Sequence, residues 1–457
     1  MAVTELTEHP AVEPSSMPVR RTPRPSTPPA RTGGWSAAQR FGFRFAFAYF
    51  VLYLFPFPLN AIPLLTNLIG WWGGVEAWLA RWTETRLFGL AEPVPIVPTG
   101  SGDTMQGWAL QALWLLIAVI VTVVWTVMDR RRREYRRLHQ WLRVYVRFGL
   151  ATIMLSYGFA KIIPNQMPGP FLDRLVQPFG EFSPMGVLWT FMSVSDVYQV
   201  FTGIGEALGG LLLVFRRTVT LGALLLVAVL SNVVLMNFTF DVPVKLYSSN
   251  LLLMALLLAL PDVRRLLNVL VLNRTATART LTPLFAARWT NAAAAVLGIV
   301  FIAYVMWGNI QGGLSRYRES TGPNAPKLPV FGIWDVEELT RNAVLQPPLL
   351  SDSTRLRRVV FGEFNRATFR LMSDSVERYG TRVDSTKQEI TLLSRFGPTA
   401  PSGGRILRYA RPDSAHLVLT EVVNGDSVVI RLRRVDERRF LLLSRGFHWI
   451  QEQPFNR

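Results

Sequence analysis

Seven side chains set in otherwise apolar sequence have the types needed for chemistry: Lys161, Glu206, Asn232, Asn237, Asp241, Lys245 and Asn250. A charge in the middle of a lipid-spanning helix costs roughly 2.5–3.5 kcal/mol on insertion scales, so such groups have partners or a task. The options are few. Lys161 and Glu206 can form a buried ion pair that fixes helix packing. Lys161 and the amides can instead hold the polar head of a lipophilic molecule, a quinone or a lipid. Glu206 and Asp241 could begin a proton path, but nothing acidic continues it towards the opposite side of the spans. The chain has no Cys, which excludes disulfides, thiolate metal sites and a Cys nucleophile. No His pair falls in an apolar run, which speaks against a haem held by two His. No Gly-rich phosphate loop, Ser nucleophile elbow or metalloprotease motif occurs.

The elements that must position these residues are membrane helices. Of 457 residues, 50% are hydrophobic and 18% are charged; a soluble chain of this size carries about 25% charge. Mean hydropathy is +0.24. The net charge of +18 comes mostly from Arg. These Arg residues flank apolar runs, a membrane pattern rather than a nucleic-acid-binding one. Residues 1–40 are rich in Pro, Ser, Thr and Arg and read as a disordered tail, not a signal peptide. Spans are expected at about 42–63, 105–128, 144–164, 196–215, 218–240, 246–262 and 290–308, about seven in all. Trp71, Trp72, Trp78 and Trp82 alternate with charges between the first two spans, as in an interfacial helix. The connection at 165–195 is long enough for a short helix.

Basic clusters at 130–143, 216–217 and 264–288 fall on one side of these spans, and the loops at 63–103, 165–195 and 241–245 carry few basic residues. The positive-inside rule then places the N-terminus in the cytoplasm and residues 310–457 outside. In a bacterial inner membrane that means the periplasm. With this topology Glu206 lies near mid-membrane, and the other polar residues lie in the outer halves of their spans or at the outer rim.

After a polar Pro/Gly linker at 310–328 the apolar period changes from helical to two. Short alternating runs separated by turn residues read as eight or nine antiparallel strands in a meander, barrel-like, with a β-sandwich as the alternative. His416 and His448 lack a nearby carboxylate cluster, so no metal site is expected. His448 beside Trp449 is expected to pack in a tail that plugs or caps the barrel.

The run around Arg147, Gly158 and Lys161, followed by Glu206 with Gly203, Gly205, Gly209 and Gly210, resembles the DoxX-like family of four-helix membrane proteins over roughly residues 140–270. That resemblance implies a membrane redox or stress-response system with a redox partner protein; the chain departs from the family's short form by added spans and an outer domain. Gly332-Ile333-Trp334 with Arg445 near the end is similar to lipocalin-like barrels, which implies an Arg packed across the Trp at one barrel end. The expected function is therefore binding of a quinone or lipid at the outer half of the bundle. The alternative is a non-catalytic anchored scaffold whose β-domain, through Trp334, Arg445 and His448, takes an apolar ligand or partner. The sequence does not decide whether the chain is an enzyme, and no nucleic-acid partner is expected.

Overall fold

The computed structural model describes residues 34–62, 65–97, 100–278, 282–394, 404–423 and 425–456. Helix α1 (Ala37–Leu54) starts at a capping box, in which Ser36 and Gln39 each satisfy a free amide of the other. The helix therefore takes residues 37–40 from the expected tail; residues 1–33 lie outside the described residues. It ends just before Pro56 and Pro58, as a missing amide and a ring clash require. Helix α2 (Thr66–Arg86) leaves Trp71, Trp78 and Trp82 exposed and packs Trp72 on Phe55 at 4.6 Å. Then come α3 (Met105–Met128), capped by Thr104, and α4 (Arg136–Ile162). The 165–195 connection holds two short helices, α5 (Leu172–Leu175) and α6 (Pro184–Val194). Helices α7 (Asp196–Val214), α8 (Val219–Thr239) and α9 (Lys245–Ala259) follow, with α10 (Val263–Leu270) continuing α9 through a tight turn. Helix α11 (Arg288–Arg316) closes the bundle.

Among the described residues, 6 helices are long and apolar enough to cross a membrane. The remaining expected span, 144–164, is α4. It has membrane length at 27 residues, but it carries Arg136, Arg137, Arg143, Arg147 and Lys161. Its place explains that composition. It is the central helix, packed against α7, α1, α9 and α11, with Val146, Leu150, Met154 and Leu155 fully enclosed. Neighbouring helices rather than lipid surround most of it.

Nine strands follow: β1 (Gly332–Arg341), β2 (Val344–Leu345), β3 (Leu356–Gly362), β4 (Arg366–Leu371), β5 (Val376–Asp384), β6 (Glu389–Ser394), β7 (Arg405–Ala410), β8 (His416–Val423) and β9 (Asp426–Arg434). Each of β3 to β9 pairs antiparallel with the strand before it in the barrel order. The pairing of β1 with β9, from Trp334↔Arg434 to Arg341↔Val428, closes an eight-stranded barrel, with β2 as a two-residue spur on β1. Closure removes the exposed edges that a sandwich would leave. The alternation is visible along β8 and β9, where Leu417, Leu419, Val428, Ile430 and Leu432 point inward. Trp334, Phe361 and Phe369 fill the interior, and the Trp334 indole donates to the Val330 carbonyl at 2.9 Å.

The expected linker at 310–328 is partly helix, because α11 runs to Arg316 and winds on through Thr321. Tertiary contact holds it there: the Asn165 amide donates to the Gly313 carbonyl at 2.9 Å, and the Thr321 hydroxyl donates to Asn165 at 2.5 Å. Leu172 packs with Ile333, Val360 and Val435, Phe171 meets Phe364, and Arg370 pairs with Glu181 at 3.0 Å. The barrel thus rests on the end of the bundle from which α4 and α11 emerge.

Candidate functional site

Lys161 and Glu206 meet. The ammonium lies 2.8 and 2.6 Å from the two carboxylate oxygens, and both residues are buried. Glycine makes this possible. A Cβ on Gly158 would lie 2.7 Å from Ala207, and one on Gly203 would lie 2.7 Å from both Gly158 and Lys161. Helices α4 and α7 therefore touch backbone to backbone beside the pair, and the bidentate geometry satisfies both charges. Neither Lys161 nor Glu206 lines the cavity between α1, α3, α4, α9 and α11.

The other polar residues divide. The Asn237 amide donates to the Ser248 hydroxyl at 3.0 Å and is buried between α8 and α9. Asn232 faces outward from the bundle. Lys245 pairs with Asp241 at 2.8 Å, at a loop where Asp241 adopts a positive φ of 52° and its side chain is 84% exposed. Lys245 also lies 3.8 Å from Asp103, whose carboxylate accepts from the amides of Lys245 and Leu246 and so caps α9 from a distant part of the chain. Asn250 is different. Its amide donates to Gln111 at 3.2 Å, and its oxygen accepts from the Tyr49 hydroxyl. Gln111 in turn donates to Tyr49 at 2.7 Å. Gln111 and Asn250 of this triad line a cavity.

The cavity has a volume of about 720 Å³ and lies between α1, α3, α4, α9 and α11. That is within the size range of small-molecule sites, roughly 300–1,000 Å³. Its elements contribute the barrel-proximal ends: the C-terminal ends of α1 and α11, the N-terminal ends of α3 and α9, and the second half of α4. The lining combines phenols (Tyr53, Tyr157, Tyr247, Tyr304) with the amides of Gln111, Asn250 and Asn309 and an apolar remainder. Glu76 of α2 also lines the cavity, where burial raises its carboxyl above the ordinary carboxylate value. Tyr157 links this cavity to the ion pair, since the Lys161 ammonium lies 5.6 Å from its ring centre. Of the seven candidates, then, the structure brings only Asn250 into the cavity wall.

Sequence reasoning passed over the rest of that wall because phenols and amides differ little from apolar residues in hydropathy. The spacing of Tyr49 and Tyr53 on α1, and Gln111 in the interior of an uncharged helix, were the available signals. Arg44 was also missed. It is buried and donates to Thr126 (2.8 Å), the Asp129 carbonyl (3.0 Å) and the Tyr135 hydroxyl (2.7 Å), tying α1 to the 129–135 loop.

In the barrel, Trp334 is a core residue, fully enclosed. The arginine beside it is Arg434, its cross-strand partner, and not Arg445. Arg445 follows the short helix α12 (Leu441–Ser444), where it contacts His448 and lies 4.6 Å from the Phe455 ring centre. The expected cap does not form: Phe447, Trp449 and Ile450 are 77%, 91% and 79% exposed. The barrel's own aromatic core already fills its interior and leaves the tail nothing to plug. His416 lies against Asp413 at 2.8 Å, and among the described residues no group of three or more potential metal ligands gathers.

No family model matches the sequence, and no solved structure matches it. One curated protein, the uncharacterized protein YwoB of Bacillus subtilis (strain 168), is 30% identical over 152 residues, which is 31% of this chain and 91% of the relative. Over that third of its length, the chain belongs to the same family as YwoB.

Proposed function

We propose that the helix bundle binds a lipophilic molecule, a quinone or a lipid, by its polar head, in the cavity between α1, α3, α4, α9 and α11. The observation that supports this reading is the lining: convergent phenols and amides within an otherwise apolar bundle. The closed Lys161–Glu206 pair is, in this reading, a packing element next to the site and not its ligand contact. The barrel interior is occupied by Trp334, Phe361 and Phe369, which favours the bundle over the barrel as the binding region.

The same proposal places the chain in a bacterial cytoplasmic membrane. The basic segments at 130–143, 216–217 and 264–288 border the helix ends away from the barrel, so the positive-inside rule puts them in the cytoplasm and the barrel in the periplasm. The DoxX-like resemblance of residues 140–270 would make it part of a redox or stress-response system. Two measurements test the binding. Organic extraction of the purified full chain should release a lipophilic molecule at near-stoichiometric amount. A short-tailed quinone titrated into protein stripped of it should quench Trp114, which lines the cavity, and Gln111→Leu should weaken that binding by about tenfold, the loss of about 1.4 kcal/mol. No extracted molecule together with no saturable quenching contradicts the proposal.

A further inference from the structure

At the barrel-distal end of the bundle, among the described residues, Arg147 is half-buried and forms no ion pair. Arg147 lies three turns into α4, one turn beyond Arg143, at the depth where the apolar part of that helix begins. Its Nε is buried without a hydrogen-bond partner. Arg216, a like charge, lies in the turn between α7 and α8 at the same end of the bundle. Among the described residues, the carboxylates at this end are engaged elsewhere: Asp129 with Tyr135 at 2.7 Å, Glu134 with Arg136 at 2.7 Å, and Asp262 with Thr220 and Arg265 at 2.7 and 2.8 Å. What Arg147 does touch is aromatic. Its guanidinium lies 4.8 Å from the Phe148 ring centre, and Gly298 of α11 packs against that same ring. Arg216 is held by the Thr282 carbonyl, and Gln140 donates to the Thr282 hydroxyl, so the chain after α10 folds over this corner.

Two arginines at one corner of the bundle, one of them with a buried and unbonded Nε, offer an anion a place to bind. A packed structural arginine would have been given a carboxylate or a carbonyl, as Arg44 is at the same end. We propose that Arg147 and Arg216 together hold a phosphate group, supplied by the headgroup of an anionic phospholipid whose acyl chains lie along the exposed face of α11. The guanidinium fork matches phosphate oxygens, and its weak hydration suits a site at the edge of the hydrocarbon. Basic pockets between helices at the cytoplasmic face are suited to such headgroups. The inference does not rest on the cavity, since neither Arg147 nor Arg216 lines it.

Native mass spectrometry of the full chain in detergent tests it, with phosphatidylglycerol, phosphatidylcholine of the same acyl chains, and inorganic phosphate as the three probes. The wild type should retain phosphatidylglycerol at least tenfold better than phosphatidylcholine. Arg147→Gln should abolish that preference, Arg147→Lys should keep part of it, and Arg216→Gln should reduce it severalfold. Arg216 is exposed in a turn, so that variant carries the test if Arg147→Gln does not fold. Protection by millimolar inorganic phosphate equal to that by the lipid would support the paired-arginine phosphate site with a free anion as its source. Equal retention of the two lipids with no effect of phosphate overturns the proposal, as does a phosphatidylglycerol preference unchanged in both glutamine variants.

Discussion

The Lys161–Glu206 pair and the tyrosine-lined cavity are one helical turn apart on α4, and they are built in opposite ways. The pair contains the strongest charges in the bundle, closed off by Gly158 and Gly203 so that two helices meet backbone to backbone. The cavity has no formal charge in its walls except Glu76, yet it holds the open volume. The difference teaches that burial cost and function separate here. A charge in lipid needs a partner first, and once the partner is found the residues are spent on packing. Uncharged donors and acceptors can be left facing open space at far lower cost, so they can wait for a ligand.

Removing one half of the ion pair should break this comparison most sharply. Lys161→Met leaves a buried carboxylate alone and should cost about 3–5 kcal/mol of stability, read as thermal unfolding in detergent. Adding Glu206→Gln should recover part of the loss, the non-additivity expected of a direct pair. A double variant as unstable as the sum of the singles would show that the two residues act separately. A smaller effect comes from the glycine contact. Gly158→Ala puts a methyl 2.7 Å from Ala207 and should cost about 1–3 kcal/mol by overpacking, while quinone binding in the cavity stays within twofold.

The smallest expected effect concerns how the barrel sits above both regions. Glu363, in the β3–β4 connection, accepts from the Leu172 amide at 3.4 Å. Burial raises its carboxyl above the ordinary value; hydrogen bonds from the backbone oppose the shift and Asp173 adds to it. The folded state therefore binds the proton more tightly than the unfolded state does. Its contribution favours folding fully below the ordinary carboxylate value of about 4.3 and is lost as pH rises through the raised one. Glu363→Gln should flatten the melting-temperature profile across that window. An unchanged profile would assign the slope to other carboxylates.

How much of this was legible in the sequence follows the same division. Long apolar runs bounded by Arg placed the helices, and α3 runs from Met105 to Met128 as its uncharged stretch predicts. Period-two alternation gave a barrel-like meander, and the closure between β1 and β9 became visible only from the register. Lys161 and Glu206 were conspicuous because they are charged, and their contact is present. The cavity was not legible, since Tyr53, Gln111, Tyr157 and Tyr247 come from four different helices. Nothing local in the sequence says that these four converge. The helical extension of α11 through the expected linker was equally hidden, because it depends on Asn165, some 150 residues away.

The most direct test of the central claim is ligand occupancy of three purified proteins in one measurement: wild type, Ser156→Phe and the double variant Lys161→Met/Glu206→Gln. Ser156 lines the cavity, so a phenyl group there fills the open volume without touching the ion pair. The account predicts that the wild type and the folded double variant retain the same lipophilic molecule, whereas Ser156→Phe loses about 90% of it, a tenfold drop. Full retention in Ser156→Phe, with loss in the double variant, would contradict it and return the site to Lys161 and Glu206.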